Sequence, residues 1–320
     1  MMKTTEEIKT PSKTDTAVKL TKEEKKAQKL RAKNLKQKEK KEGRRIRSLD
    51  PINQLMPYLM KERNDACNFF ESEFDIQKAD EYISQKRKAG LKSFSMMHIL
   101  MAAYVRTIAE YPGVNRFIRG QRIMARNKIV VALNIKREMA LDKGETVVKF
   151  FPKPDATADE IYYYMEEIIQ KNMETTDTDF DNTIAKIAKL PRFLLRFFMA
   201  TLRFLDYYGV FPPSLLDVSP FHCSFYITSM GSLGIPPIYH HIYNFGNVPL
   251  FLSFGTTEKK LRLNLDGSVT QKRYLPIKVT CDERICDGHY FSMFFKAFRR
   301  YVKNPELLDT PPAEVKEDIL

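Results

Sequence analysis

The sequence predicts an α/β fold in which a β-sheet is covered by helices. Helical apolar spacing dominates the first half of the chain, with two strand-like runs among the helices, and strand-like runs separated by turn residues dominate the second half. The chain has 320 residues, of which 43% are apolar, so it can bury a full-sized core. We therefore expect one large folded unit or two small ones rather than a disordered chain.

Apolar spacing and cap residues predict three helices early in the chain. Apolar side chains recur every three or four positions in residues 50–70, and residues 75–88 have a helical composition. Ser93 and Ser95 are suitable caps for a third helix over residues 96–111.

Strands and two further helices follow. Residues 129–135 and 146–151 are β-branched and apolar, which predicts strands. A helix is expected after Thr157, and a second helical stretch over residues 183–208 contains Pro191, which should break or kink it.

The last third of the chain predicts strands and one closing helix. Asp266 and Gly267 form the expected turn of a hairpin. The strand-like runs are residues 223–229, 249–255, 259–265 and 271–283. Residues 289–303 predict the helix that closes the fold.

The N-terminal segment holds most of the positive charge. Residues 1–50 contain 17 Lys and Arg against 8 Asp and Glu, a net +9 of the total +13. The nearly neutral remainder argues against a folded nucleic-acid clamp, because phosphate binding needs basic charge concentrated on one face. We expect a basic tail over residues 1–43, disordered or helical, a folded domain over 44–310 and a C-terminal tail over 311–320. An acidic protein, RNA or a membrane surface are the candidate partners of the basic tail.

The cysteine pattern and the hydropathy predict a cytoplasmic protein. Cys67, Cys223, Cys281 and Cys286 are widely spaced and form neither a CxxC pair nor a zinc pattern, so no metal site is expected. The charged N-terminus does not resemble a signal peptide, and the most apolar segment is interrupted by charged residues, so no membrane span is expected.

The most informative stretch is residues 280–309, where a strand is followed by a tight turn and a helix. Asp282, Arg284, Asp287 and Gly288 stand in the pattern DxRxxDG. This pattern resembles the HxxxDG signature of the chloramphenicol acetyltransferase-like superfamily, which includes the dihydrolipoyl acyltransferase cores of 2-oxoacid dehydrogenase complexes. The dihydrolipoyl branch also has the preceding aspartate.

Three further blocks strengthen this resemblance. Residues 93–118, 225–235 and 248–261 are similar to the family's early helix, its strand with a glycine turn, and its next core strand, in the same order. The resemblance covers roughly residues 44–310. It implies a two-layer mixed β-sheet covered by helices, in the chloramphenicol acetyltransferase-like (CoA-dependent acyltransferase) fold. It also implies a homotrimer with active sites between subunits. It also implies coenzyme A or acyl-CoA as co-substrate, with no metal.

One departure from the family dominates the functional question. Glu283 stands where the family has its catalytic histidine, whose imidazole removes a proton from the acyl acceptor. A glutamate carboxylate ordinarily titrates near ~4.3, which makes it a weak base unless burial raises its pKa. Glu283 is therefore either a substitute base or a polar residue in a disused channel, paired with Arg284 or a neighbouring subunit.

A second departure lies where the family places a hydroxyl that stabilises the oxyanion. The resemblance places this position between Tyr239 and His241, so His240 and His241 are candidate catalytic residues and Tyr239 a candidate substrate contact. One histidine could donate to the oxyanion or serve as the base that Glu283 orients. Alternatively, all three are packing residues of a loop.

The resemblance also assigns structural roles around the turn. It implies that Asp287 forms a buried ion pair that holds the active-site loop, with Arg45 or Arg47 as a possible partner, and that Gly288 permits the turn. Arg284 belongs to the same loop. Ser229 and Ser232 are either hydrogen-bond donors to substrate or residues of an ordinary turn.

The leading hypothesis is an acyltransferase that moves an acyl group from a CoA or lipoyl thioester to a small acceptor, using Glu283 with His240 or His241. The alternative is a non-catalytic trimeric relative that binds CoA or acts as a scaffold. No segment resembles a lipoyl domain or a swinging Pro/Ala-rich linker. We therefore expect a stand-alone relative of the dehydrogenase-complex subunits.

Overall fold

The computed structural model describes residues 42–136, 145–174 and 187–319, and these residues form a mixed sheet with helices. The strands are β1 (Gly43–Arg45), β2 (Cys67–Asp75), β3 (Arg116–Arg119), β4 (Arg122–Arg126), β5 (Val131–Lys136), β6 (Glu145–Phe150), β7 (Phe225–Ser229), β8 (Leu250–Phe254), β9 (Glu258–Leu263) and β10 (Val269–Asp282). The helices are α1 (Pro51–Leu59), α2 (Gln77–Lys88), α3 (Met96–Glu110), α4 (Ala158–Glu174), α5 (Arg192–Tyr208), α6 (Pro213–Val218) and α7 (Gly288–Lys303).

Seven strands form the main sheet, in the order β2-β10-β8-β7-β5-β6, with β9 paired to the first part of β10. The pairs β5–β7 and β7–β8 are parallel, and the other pairs are antiparallel. A separate three-stranded sheet has the order β1-β4-β3. The predicted α/β class with a mixed sheet covered by helices is confirmed.

The core lies between the main sheet and helix α3. Every residue of α3 from His98 to Ala109 is buried, and the ring of Tyr104 stacks on that of Phe225 in β7, with 4.1 Å between ring centroids. The opposite face of the sheet carries a smaller cluster that includes Ile242 and Val248. The segment that contains the two candidate histidines therefore covers the face of the sheet away from α3.

Two strand regions differ from the sequence prediction. The helix expected over residues 50–70 ends at Leu59, and the remainder contains strand β2. Among the described strands, β2 pairs with β10 alone at the edge of the sheet, and its side chains alternate only weakly between buried and exposed. The β3–β4 hairpin was not predicted. Its turn is Gly120–Gln121, with φ of 55° and 56°.

The boundaries of the folded domain stay a prediction, but both ends of the described chain contact the body. β1 pairs with β4 from Gly43 onward. The expected C-terminal tail is held by the ion pair between Arg116 and Asp318, at 2.6 Å, and by Arg44, which donates to the carbonyl of Ile319. Residues 1–41 of the expected basic tail lie outside the described residues. No helix in the described ranges is long and apolar enough to cross a membrane.

Acid is expected to destabilise the start of α3 through His98. The Nδ1 atom of His98 accepts the backbone N–H of Ser95 at 3.0 Å, and burial lowers the pKa of His98 to about 4. An unfolded histidine titrates near ~6.5, so the contribution of the neutral His98 ring to the free energy of unfolding is complete above that pH. It is lost at roughly 1.4 kcal/mol per pH unit as the pH falls towards the folded-state pKa.

Urea unfolding at a series of pH values measures this slope. His98→Gln keeps an acceptor for Ser95 and removes the titrating group, so its curve should be flatter between pH 6.5 and 4. The carboxylate of Glu166 lies 4.0 Å from Nε2 and could pair with a protonated ring. Equal slopes in the two proteins would show that His98 is charged in the fold.

Candidate active site

The expected strand, turn and helix are present at the DxRxxDG pattern. β10 ends at Asp282, residues Glu283–Ile285 form a 3₁₀ turn, and α7 begins at Gly288. The Asp287 carboxylate caps α7 by accepting the backbone N–H of Tyr290 at 2.8 Å. Glu283 is half-buried at the start of this turn, and its main chain lies between the end of β10 and the start of α7.

A buried ionic cluster holds the turn. The guanidinium of Arg284 makes two hydrogen bonds of 2.8 Å to the Asp282 carboxylate, and Arg63 Nε lies 3.3 Å from the same group. All three side chains are buried. Burial lowers the pKa of the Arg63 guanidinium, and the charge of Asp282 opposes this effect. The two residues that flank Glu283 are therefore fixed by charge-assisted hydrogen bonds.

Among the residues that the structure describes, Asp287 forms no buried ion pair, and the carboxylate with buried ion pairs is that of Asp282. Asp287 is exposed, as are Arg45 and Arg47. A carboxylate at a helix N-cap can remain in water while it accepts a backbone N–H, whereas the buried cations Arg63 and Arg284 require a buried anion. Arg284 also donates to main-chain carbonyls near the end of α1, each at 3.1 Å.

Arg63 is the residue that sequence reasoning missed. It donates to the carbonyls of Tyr243 and Gly246 at 2.6 and 2.7 Å, and Asn244 accepts its backbone N–H at 2.9 Å. It therefore ties the segment after the two histidines to the turn that bears Glu283. These partners lie some 180 positions away in the chain, so no local spacing could have indicated them.

The two histidines have different surroundings. The ring of His240 stacks on Phe251 with 4.3 Å between centroids, and its carbonyl accepts the Thr280 hydroxyl at 2.6 Å. The main chain of His240 thus lies beside β10 at Thr280, which precedes Glu283 by three residues. His241 is exposed, and its ring packs nearly perpendicular to that of Tyr243, with 4.7 Å between ring centroids.

The predicted substrate contacts are hydrogen-bonded within the chain. Ser232 donates its hydroxyl to the carbonyl of Ser229 at 2.8 Å, as in an ordinary turn. The hydroxyl of Tyr239 donates to Glu71 at 3.4 Å, and Lys278 lies 4.8 Å from the centre of its ring. Ser229 is the last residue of β7, and Ser232 and Tyr239 lie on the segment between β7 and β8.

The four cysteines are unfavourable nucleophiles. All are free thiols, and three of them are buried. Burial raises the pKa of each thiol, that of Cys223 to about 11. Reactive cysteines have a lowered pKa, so thiolate chemistry is disfavoured here.

Within the described ranges, no group of three or more His, Cys, Asp or Glu side chains is placed to hold a metal ion.

A serine, a histidine and an aspartate also contact one another outside this site. Ser219 Oγ lies 2.7 Å from His222 Nδ1, and His222 Nε2 lies 3.2 Å from Asp206. Ser219 and His222 are buried, so no substrate reaches the hydroxyl. These contacts connect the end of α5 to the start of β7.

Comparison with known proteins finds a family model that matches the segment around the turn. A family model described as 2-oxoacid dehydrogenases acyltransferase (catalytic domain) matches residues 222–309, which run from just before β7 to beyond α7. A search of curated protein sequences finds no match. The resemblance seen in the DxRxxDG pattern is thus confirmed over this segment.

Solved structures share the fold over most of the chain. The probable dihydrolipoamide acetyltransferase of Listeria monocytogenes 4b F2365 is 16% identical, with a TM-score of 0.51, and the match covers 81% of this chain and 95% of that chain. The Azotobacter vinelandii dihydrolipoamide acetyltransferase is 13% identical, with a TM-score of 0.51, and the match covers 80% and 88%. A truncated catalytic core of the Thermoplasma acidophilum 2-oxoacid dehydrogenase complex is 13% identical, with a TM-score of 0.50, and the match covers 81% and 98%. The expected acyltransferase fold is confirmed.

Proposed function

We propose that the chain is an acyltransferase that moves an acyl group from a coenzyme A or lipoyl thioester to a small acceptor. The observation that carries the proposal is the position of Glu283. It lies on the turn between β10 and α7, inside the segment that the acyltransferase family model matches, and the buried pairing of Asp282 with Arg284 holds this turn. A half-buried carboxylate with fixed neighbours suits a general base.

The proposed reaction begins with proton transfer to Glu283. As the acceptor O–H or S–H gives its proton to the carboxylate, the acceptor atom attacks the thioester carbonyl. The tetrahedral intermediate collapses with cleavage of the carbon–sulfur bond, and the proton on Glu283 passes to the departing thiolate. A thiol, which titrates near ~8.5, is a better match than an alcohol for a carboxylate base.

The histidines belong to the proposal as oxyanion donors. His240 is favoured over His241, because its carbonyl accepts a hydrogen bond from the hydroxyl of Thr280. Thr280 lies on β10, the strand that leads to Glu283. An N–H aimed at the developing oxyanion would stabilise the transition state. Tyr239, Ser229 and Ser232 are the proposed substrate contacts.

A homotrimer is the proposed assembly. The solved relatives include a catalytic core of a multienzyme complex. Ile52, Leu55 and Leu59 leave an exposed apolar stripe on one side of α1, which association of copies would cover. Sedimentation equilibrium of the full chain should give three times the monomer mass.

Turnover of a thioester tests the proposed activity. The full chain is incubated with acetyl-CoA and dihydrolipoamide, and free CoA is measured by chromatography. His240→Phe keeps the ring contact with Phe251 and removes the N–H donor, so it should lower kcat by about a hundredfold. The matched variant His241→Phe should have little effect. Release of CoA at the uncatalysed rate in every protein would refute the assignment.

The absence of the family histidine at position 283 favours one second candidate, a non-catalytic relative that binds CoA or acts as a scaffold. It predicts trimer formation and CoA binding without turnover. Turnover that is lost in the site variants would exclude it.

A further inference from the structure

Helix α5 exposes a row of aromatic side chains. Phe193, Phe197, Phe204 and Tyr208 are 70, 73, 60 and 63% exposed. With 3.6 residues per turn, these four positions lie within about 60° of one another around the helix axis. None of the 17 side chains of α5, all in the described part of the chain, is buried. Exposed apolar rows of this length are uncommon, and they usually mark a surface that binds a protein or a membrane.

A row of arginines lies next to the aromatic row. Arg192, Arg196 and Arg203 fall within about 40° of one another around the same axis. Asp206 is the only acidic residue of α5, and it lies against the buried His222 at 3.2 Å. The exposed side of α5 therefore combines aromatic rings with positive charge that no carboxylate in the described ranges pairs.

The helix is attached to the body by its other side and by its end. Leu195, Leu202 and Leu205 are half-buried. The Tyr207 hydroxyl donates to the side chain of Gln121 in the β3–β4 turn at 3.1 Å, and Gly209 ends the helix with φ of 69°. The aromatic row thus faces outward on a helix with a fixed orientation.

We infer that α5 docks on an anionic membrane surface, with its aromatic row at the boundary between headgroups and acyl chains and its arginines on lipid phosphates. A helix with an apolar row beside a basic row lies in the plane of such an interface. Aromatic rings and arginine are both suited to the headgroup region. A second copy of the same face would supply no carboxylate for the arginines, whereas lipid phosphates would. The inference is independent of the proposed acyl transfer.

Vesicle co-sedimentation of the full chain tests the inference. The probes are vesicles of phosphatidylcholine alone and of equal parts phosphatidylcholine and phosphatidylglycerol. Binding is expected only to the anionic vesicles, and it should weaken as salt is raised. Changing all three arginines of the row to glutamine should weaken binding by about a hundredfold, since each cation contributes roughly fivefold.

A matched pair of variants tests the aromatic row. Phe193→Ser, Phe197→Ser and Phe204→Ser combined should weaken binding by at least about tenfold. As control, Leu261→Ser, Leu263→Ser and Leu265→Ser combined remove exposed apolar side chains from the β9–β10 hairpin and should leave binding unchanged. If the phenylalanine variant instead separates an oligomer and vesicles have no effect, the row is covered by a second copy and the inference is wrong.

A single tryptophan distinguishes docking of α5 from binding through the basic N-terminal segment. The chain contains no tryptophan, so Phe197→Trp introduces a unique fluorophore. Its emission should shift to the blue on anionic vesicles, and that of Leu263→Trp on the hairpin should not. Vesicle binding without a shift at position 197 would show that another segment binds the membrane, and would overturn the inference.

Discussion

Glu283→Gln is expected to lower the rate of acyl transfer by about 10²–10⁴-fold, because an amide cannot accept the acceptor's proton at neutral pH. Glu283 is half-buried on a turn that Asp282 and Arg284 hold, so glutamine of nearly equal size should fit without disturbing the fold. The measurement is the initial rate of CoA release from acetyl-CoA at saturating acceptor. KM for the donor should change little, since the carboxylate acts on the acceptor.

A matched control guards against a general effect of losing one carboxylate. Glu167 is exposed on α4, so Glu167→Gln should retain full activity. Full activity in Glu283→Gln would remove the carboxylate from the mechanism and leave His240 or His241 as the base.

Asp282→Asn is expected to destabilise the fold by about 3–5 kcal/mol, because it leaves the guanidiniums of Arg63 and Arg284 buried without an anion. In the native protein, a guanidinium nitrogen of each arginine lies within 3.3 Å of a carboxylate oxygen of Asp282. Urea unfolding measures the change in free energy. Adding Arg63→Met to Asp282→Asn removes one uncompensated cation, so the double variant should recover part of the lost free energy of unfolding.

Asp287→Asn provides the comparison. Asp287 is exposed and caps α7, and asparagine is an equally good N-cap, so the stability should hardly change. A large loss in Asp287→Asn with a small one in Asp282→Asn would mean that the buried ion pair lies at Asp287, as the family resemblance implies.

Local signals predicted the framework of the site. The strand, turn and helix around Glu283 could be identified because β-branched residues, an Asp-Gly pair and helical apolar spacing follow one another over some thirty positions. The helix ending before Pro112 was predicted equally well, since Ser95 provides a cap and its apolar residues occupy every face.

Edge strands and long-range charges were not predictable in the same way. Among the described strands β2 has one neighbour, and its side chains alternate little, so its residues carried only a weak strand signal. Residues 67–70 were therefore included in the expected helix, and residues 71–74 were given no element. The β3–β4 hairpin contains four arginines, which hid its short apolar runs. Its Gly-Gln turn was the available signal.

Partners in the ionic cluster depend on the tertiary fold. Arg63 contacts Asp282, 219 positions later in the chain, and the sequence offered many other basic residues. The resemblance pointed to Asp287 for the buried pair. The burial of Asp282 between two guanidiniums and the exposure of Asp287 at the N-cap of α7 distinguish the two carboxylates.

Donor binding is the most direct test of the central claim that this chain uses CoA thioesters. Calorimetric titration of the full chain with acetyl-CoA and with free CoA is predicted to show saturable, micromolar binding of both ligands, with one site per chain. No heat of binding with either ligand would contradict the claim, since an enzyme that transfers acyl groups from CoA must bind its donor.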